Sequence, residues 1–250
     1  MIQKPFYHLL SLCVFIVFLF PDRTPAQWHL DLESGIVFSG YNDVQIPGDV
    51  GTKFSLTEDF TTDPAFFFRL KILYNLNPRH QLALLYAPLE VKATGRADRA
   101  IYFVDKIFPA SRDLAATYRF DSYRLSYRYR IYQTAAFNFW IGFTAKIRDA
   151  AIRLEDDRQS AEKTNTGFVP ILNFRVDWKW NKQCSLVLDG DALAAPQGRA
   201  EDILLAIQYG ISETVSCKAG YRILEGGSDN DEVYSFALFH YLLAGIIITF

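Results

Sequence analysis

The sequence predicts an all-β fold in which about ten antiparallel strands close into a barrel. From Trp28 onward, apolar residues recur at every second position, with little sustained helical periodicity. The connections between the predicted strands alternate between short turns and long polar loops. The last predicted strand, residues 233–250, is apolar on one face, far from polar on the other, and ends on Phe250. Together these observations favour a barrel over a helical or mixed fold.

The composition is consistent with this fold class. A length of 250 residues suits one domain of a large all-β type. The chain has 21 Phe and 14 Tyr against one Met, a balance that favours strands and membrane–water interfaces over helical cores. The net charge of −2, with both signs mixed, leaves no basic stripe for nucleic acid. Nucleic acid is therefore not an expected partner.

The N-terminus has the pattern of an export signal. Lys4 precedes an apolar run, residues 9–20, which is too short to span a bilayer as a helix. The small residues at 24–26 resemble a signal-peptidase cleavage site. We therefore expect a signal peptide over residues 1–26 and a single barrel domain over residues 27–250.

The strands follow one another with a regular alternation of connections. Those after the second, fourth, sixth and eighth strands are short, and those after the first, third and fifth are long, the last of these covering residues 155–166. An even strand number with long loops at one end is the pattern of outer-membrane barrels. The predicted strands are residues 28–39, 65–76, 81–93, 115–132, 137–154, 167–180, 185–194, 202–211, 216–224 and 233–250.

The closing strand resembles that of Gram-negative outer-membrane β-barrels, which typically end in Phe or Trp. The resemblance covers residues 28–250 at the level of architecture and reaches no subfamily, so it carries over no functional residue. It implies a transmembrane barrel in the cell outer membrane, with short periplasmic turns and longer extracellular loops. It also implies contact with outer-membrane lipid and with the barrel-assembly machinery, a monomer, and Phe250 as the assembly signal.

The alternation of apolar and polar residues defines two faces of each strand but does not say which of them meets water. A soluble barrel with its charges outside is therefore an alternative to a membrane barrel. The apolar faces are bulky and nearly uncharged over the length that a tilted strand needs to cross the hydrocarbon. Aromatic residues gather near both ends of the strands, as in the girdles of membrane barrels. The polar faces carry both signs of charge. These features favour an apolar exterior around a charged lumen.

The inward faces predict a lumen filled by paired charges. A ten-stranded barrel is only slightly wider than the eight-stranded type that side chains fill, so long Arg side chains would close most of the bore. Other residues assigned to the inward faces are Asp31, Glu33, Arg130, Lys146, Lys179 and Lys218. The predicted charge network consists of Arg69, Lys71, Arg124, Arg128, Arg148, Arg175, Asp177, Asp189, Asp191 and Arg222.

Three functions are compatible with such a barrel. The first is a structural or interaction role through the extracellular loops, the second a narrow channel for small solutes. The third is an enzyme at the rim that acts on lipid or peptide. Asp189 and Asp191, assigned to the rim together with Asp202 and Arg222, are similar to an acid pair of omptin-type outer-membrane proteases. Those enzymes also use a histidine, and the pattern places none near this rim.

Other chemistry has little support in the sequence. His240 on the lipid-facing side weakly resembles the histidine that lipid A-modifying barrels place on their outer surface or rim. There is no Cys/His cluster with ligand spacing, no Gly-rich phosphate cradle and no nucleophile elbow. We predict no cofactor, metal site or catalytic residue. Cys184 and Cys217 lie on strands that are two apart in the predicted order, so about 10 Å separates them. This distance favours two free thiols over a disulfide.

Overall fold

The computed structural model describes residues 27–196 and 198–250, and the predicted signal peptide lies outside them. Within the described residues, no helix is long and apolar enough to cross a membrane. The strands are β1 (Trp28–Gln45), β2 (Phe54–Ser55), β3 (Phe60–Thr62), β4 (Ala65–Asn77), β5 (His80–Ala87), β6 (Glu90–Arg96), β7 (Ile101–Phe103), β8 (Lys106–Phe108), β9 (Asp113–Gln133), β10 (Phe137–Glu155), β11 (Ser160–Lys179), β12 (Cys184–Ala195), β13 (Gly198–Gly210), β14 (Val215–Asp229) and β15 (Tyr234–Thr249).

Ten antiparallel strands form the wall, and the sheet closes where β1 pairs with β15 from His29–Thr249 to Gln45–Tyr234. The wall order is β1, β4, β5 with β6, β9, β10, β11, β12, β13, β14 and β15. β5 and β6 are two halves of one wall strand, and both pair with β9. They separate at Pro88, which has no N–H to donate to the ladder. The predicted closed ten-stranded barrel is confirmed.

The side chains alternate between an apolar exterior and a charged interior. Along β1, the exposed side chains of Trp28, Leu32 and Phe38 face outward, whereas Asp31 and Glu33 are each only 4% exposed inside. Trp28 to Phe38 spans the 9–11 residues that a tilted strand needs to cross the hydrocarbon. This arrangement is the reverse of a soluble barrel. Aromatic side chains exposed near the two ends of the band are Tyr132, Trp178, Trp180 and Tyr209 on one side and Phe38, Phe66, Phe68, Phe168 and Tyr221 on the other.

The wall continues well beyond the apolar band at the long-loop end. The predicted loop at residues 155–166 is wrong, because β10 and β11 remain paired up to Glu155 and Ser160, with only a short turn between them. Outside the hydrocarbon neither face of a strand has to be apolar. The period-two pattern therefore fades here although the backbone ladder continues.

A second, apolar core fills part of this outer end. Its short strands β2, β3, β7 and β8 come from the two longest connections, residues 46–64 and 97–112, and β7 and β8 pair as a hairpin. Phe54 lies edge-on to Phe103, with 5.9 Å between ring centroids. Both rings are buried in the same cluster as Val37 and Val91, two inward-facing residues of the wall. The loops are therefore packed against the barrel rather than free above it.

The close approach of β9 and β10 depends on a glycine. A Cβ at Gly142 would lie 1.8 Å from the carbonyl oxygen of Tyr127, whereas one at Gly210 would have no atom nearer than 3.8 Å. We expect Gly142→Ala to lower the free energy of unfolding by about 2 kcal/mol, because the two backbones must separate. Urea unfolding of the refolded protein in lipid vesicles measures this. Gly210→Ala is the matched control, and equal midpoints for the two variants would contradict the prediction.

An ion pair joins the loop between β1 and β4 to the loop between β6 and β9. Both Nη atoms of Arg99 lie 3.0 Å from the carboxylate of Asp59, and the Ser55 amide donates to the same group at 2.8 Å. Burial alone would raise the pKa of Asp59, but these hydrogen bonds lower it below its ordinary value of 3.8. Asp59 therefore stabilises the folded loop above the unfolded-state pKa, and this contribution is lost as pH falls through the folded pKa.

We expect pepsin to cut residues 46–64 increasingly as pH falls below the unfolded-state pKa of Asp59 and through its lowered folded-state pKa, because Asp59 then becomes protonated. In Asp59→Asn the pair is absent at every pH, so cleavage starts high and changes less. Asp98→Asn removes an exposed carboxylate near the same Arg99 and is the control. If cleavage of Asp59→Asn shows the same pH dependence as cleavage of the wild-type protein, the ion pair does not hold the loop. Mass spectrometry of the fragments locates the cuts.

Candidate functional site

Buried charges meet at two centres inside the barrel, and the first is Asp202 of β13. Its carboxylate forms ion pairs with three guanidinium groups on three other strands, and two of them, Arg69 and Arg222, donate hydrogen bonds to it. The Nη2 atoms of Arg69 and Arg124 lie 2.9 and 2.6 Å from Oδ2, and Arg222 binds Oδ1. All four side chains are 5% exposed or less. Charges so deeply buried are tolerated only when they are paired and hydrogen-bonded.

The second centre is Asp189 of β12. Arg128 binds its Oδ1 at 2.6 Å, while Lys71 and Arg175 bind its Oδ2 at 3.0 and 3.2 Å. Arg175 also binds Asp177 at 2.7 Å. This centre thus joins strands β4, β9, β11 and β12 across the lumen.

Glu33 of β1 extends the first centre toward the short-turn end. It lies 2.9 Å from Arg222, 3.4 Å from Arg69 and 2.6 Å from Nζ of Lys218. Lys218 reaches on to Asp31 at 2.7 Å. β1, which pairs with β15 to close the barrel, is in this way linked to β4 and β14.

Asn173 and Asp191 join the two centres. Asn173 accepts a hydrogen bond from Arg128 and donates one to Asp191 at 2.6 Å. Asp191 also accepts from Thr144 and Arg124, each at 2.6 Å. The result is one network fixed to eight of the ten wall strands. Its charged members are seven cations and six carboxylates: Arg69, Lys71, Arg124, Arg128, Arg175, Lys218, Arg222, Asp31, Glu33, Asp177, Asp189, Asp191 and Asp202.

The network differs from the predicted set at specific residues. Arg148 is not part of it and lies above it, where it binds Asn165. Asp202, assigned to the rim by sequence, is instead one of the centres, and Asp189, Asp191 and Arg222 are also in the middle of the lumen rather than at the rim. The strands run further outward than predicted, so these positions are internal to their ladders. Asp202 shares its face with the buried Leu204 and Ala206, a period-two signal that could have revealed it.

The network separates two cavities. The outer cavity, 460 Å³ in volume, is at the long-loop end, and Lys146 and Arg148 are among its lining residues. The inner cavity, 420 Å³ in volume, is at the short-turn end and is lined by His29 among others. Arg69, Arg124 and Asp202 line neither. The paired charges therefore lie between the two cavities.

The outer rim carries ion pairs without a histidine. Arg199 binds Glu225 at 2.7 Å, and Tyr41 also donates to Glu225. Arg119 lies 2.9 Å from Asp149, and this hydrogen bond lowers the pKa of Asp149 below its ordinary value. These contacts hold neighbouring strand ends together above the apolar band.

The histidines among the described residues lie elsewhere. His29 binds Asn75 in the inner cavity, and His80 is the first residue of β5 at the same end. His240 faces outward and forms a hydrogen bond with Tyr221. In this part of the chain no histidine is thus placed beside an acid at the outer rim, and Asp189 and Asp191 are held in salt bridges.

Neither a metal cluster nor a disulfide is seen in the part of the chain that the structure covers. No group of three or more His, Cys, Asp or Glu residues there could hold a metal ion. Cys184 and Cys217 are free thiols. They flank Tyr209 at the same level of β12, β13 and β14.

The stability of the barrel is expected to depend on the first centre. Asp202→Asn keeps the shape of the side chain but leaves three buried guanidinium groups with one carboxylate fewer. We expect it to lower the free energy of unfolding by about 3 kcal/mol, measured by urea unfolding in lipid vesicles. Asp157→Asn, which breaks a more exposed pair with Arg112, should cost less than about 1 kcal/mol. Similar losses for both variants would show that burial does not set the strength of the network.

Comparison with known proteins supports the fold. No protein-family model and no curated protein matches the chain. Among solved structures, the outer-membrane protease OmpT from Escherichia coli is 8% identical, with 93% of this chain and 99% of that one covered and a TM-score of 0.59. The transport unit of the autotransporter AIDA-I from Escherichia coli is 9% identical, with 98% and 97% covered and a TM-score of 0.48. Ail of Yersinia pestis is 12% identical, with 90% and 99% covered and a TM-score of 0.39.

At identities of 8 to 12%, the likeness concerns architecture alone. The likeness to OmpT, together with closure of the wall and the exposed apolar band, agrees with the class resemblance of the closing strand. The chain has the fold of the small outer-membrane β-barrels.

Proposed function

We propose that this protein is an integral outer-membrane barrel with a closed lumen that acts at its extracellular end as a binding or interaction protein. The observation that carries the proposal is the charge network between the two cavities. A solute channel needs a continuous polar path, and here paired side chains from eight strands occupy that path. The packed loops and the outer cavity are then the parts of the molecule available to partners outside the cell.

The location follows from the fold and the apolar band. Exposed side chains such as Phe66, Phe143 and Phe168 suit contact with lipid, and the aromatic residues at both ends of the band suit the two interfaces. Contact with the barrel-assembly machinery, with Phe250 as the assembly signal, and a monomeric state remain predictions. The amide of Phe250 binds the carbonyl oxygen of Trp28 at 2.9 Å, so this residue also takes part in closing the wall.

The enzyme alternative has less support. The structural neighbour OmpT is a protease, and this chain shares its architecture, but the acids assigned to the rim are engaged in the lumen. The pair formed by His240 and Tyr221 lies on the outer face, where both rings stack with centroids 5.9 Å apart. Within the described residues this histidine contacts Tyr221 and pairs with no acid, so the Asp–His arrangement of a protease is not formed there.

We expect the refolded wild-type protein to give no steady single-channel steps in a planar bilayer, because the network fills the bore. Arg124→Ala combined with Arg222→Ala removes two side chains that cross the lumen and is expected to give measurable steps. Circular dichroism in the same lipid must first show that the double variant is folded. Steady ohmic steps from the wild-type protein would sink the closed-lumen proposal in favour of a narrow channel.

A further inference from the structure

The outer cavity is enclosed by the wall extensions above the network. Strands β9 to β15 all contribute to its lining, and its volume of 460 Å³ is typical of small-molecule sites. Many wall residues around it are small, among them Ala150, Ala195, Ala200 and Ser228. Small side chains at these positions leave space that the apolar loop core does not fill.

The charged groups that line this cavity do not balance. Its two carboxylates are already paired, Glu225 with Arg199 at 2.7 Å and Glu232 with Lys163 at 3.5 Å. Two further cations, Lys146 and Arg148, have no carboxylate partner among the described residues. The cavity therefore carries a net positive charge that the protein does not neutralise.

Lys146 is the more unusual of these cations. It is only 3% exposed, and no hydrogen bond or ion pair to its ammonium is found among the described residues. Its Nζ lies over the ring of Phe120, 4.7 Å from the ring centroid. Arg148 adds a buried Nε without a hydrogen-bond partner. A buried cation without a counter-charge is costly, so a structural role explains it poorly.

The network below increases this imbalance. Lys146 lies opposite Arg124 in the β9–β10 ladder, and the network itself has one cation more than it has carboxylates. No free carboxylate of the network is thus available to Lys146. An anion in the cavity would provide the missing counter-charge.

The remaining surface of the cavity is mostly apolar. Tyr118 and Phe239 lie with ring centroids 5.5 Å apart, and Phe120 stacks beside Tyr118 at 6.4 Å. Leu224 and Ile152 also line the cavity and are buried. Aromatic and aliphatic walls with a few convergent polar groups are characteristic of sites for organic ligands. A bare inorganic anion would leave this surface without a partner.

We propose that the outer cavity binds a small amphipathic organic anion, with its acidic group at Lys146 and Arg148 and its apolar body against Tyr118, Phe120 and Phe239. The inference rests on the proposed function in placing this cavity at the extracellular end. The recognised chemistry is one negatively charged group on an apolar body. Such a molecule can arrive from solution or be an anionic lipid of the surrounding bilayer.

The test uses the full-length mature protein in nanodiscs of zwitterionic phosphatidylcholine, with 2-naphthoate as the probe. Isothermal titration calorimetry should show saturable binding at one site per protein. The neutral naphthalene-2-carboxamide has the same shape without the charge and should bind at least tenfold more weakly. Equal affinities for acid and amide, or no saturable binding of the acid, would overturn the proposal.

Variants then assign the site. Lys146→Met should weaken 2-naphthoate binding at least tenfold, and Lys146→Arg should largely retain it. Lys92→Met removes an exposed lysine outside the cavity and should leave binding unchanged. Because Lys146→Met removes an unpaired buried charge, its urea midpoint should not fall, which separates loss of binding from misfolding. Wild-type affinity in a folded Lys146→Met variant would contradict the assignment.

A second set of nanodiscs that contain anionic phosphatidylglycerol distinguishes the two sources. Weaker apparent binding of 2-naphthoate there would identify a bilayer lipid as a competing occupant, and unchanged binding would identify a ligand from solution. Both results require the anion site. Channel steps from the wild-type protein would contradict the closed lumen without affecting these titrations, so the two proposals fail separately.

Discussion

The need to pair buried charge is the constraint on which this barrel depends. Its lumen is too narrow for each charged side chain to keep a full shell of water, so the inward charges of seven strands have to meet one another. Asp202 and Asp189 each bring together cations from three other strands. A slip of one residue in any of these ladders would turn such charges toward lipid, where they are far more costly. The network therefore favours one register as well as one closed wall.

This arrangement divides the molecule along its axis. The middle is cross-linked by paired charges, whereas the outer end combines an apolar loop core with a cavity whose cations are not fully paired within the described residues. Stability and binding are therefore assigned to different levels of the same barrel. The contrast between Arg124, which binds two carboxylates, and its neighbour Lys146, which binds none, shows that burial alone does not explain both residues.

The sequence was sufficient to predict the wall because the hydrocarbon imposes an apolar outer face on each strand. Residues 115–132 alternate so clearly that their strand and its facing could be read directly. The prediction failed where that demand ends, as at residues 155–166, which continue the ladder without an apolar face. Asp202 was misplaced because the start of β13 was predicted too late, at residue 202 instead of Gly198. The missing partner of Lys146 depends on which strands face one another across the lumen, and the order of residues along the chain does not contain that information.

The continuation of the wall beyond the apolar band has a geometric consequence. β1 extends seven residues past Phe38 to Gln45. At about 3.3 Å per residue and a tilt near 45°, these residues rise about 16 Å above the hydrocarbon. The headgroup layer on one side of a bilayer is only about 5 to 8 Å thick. In the proposed orientation, the mouth of the barrel lies above the headgroup layer. A molecule from solution can therefore reach it without first entering the membrane.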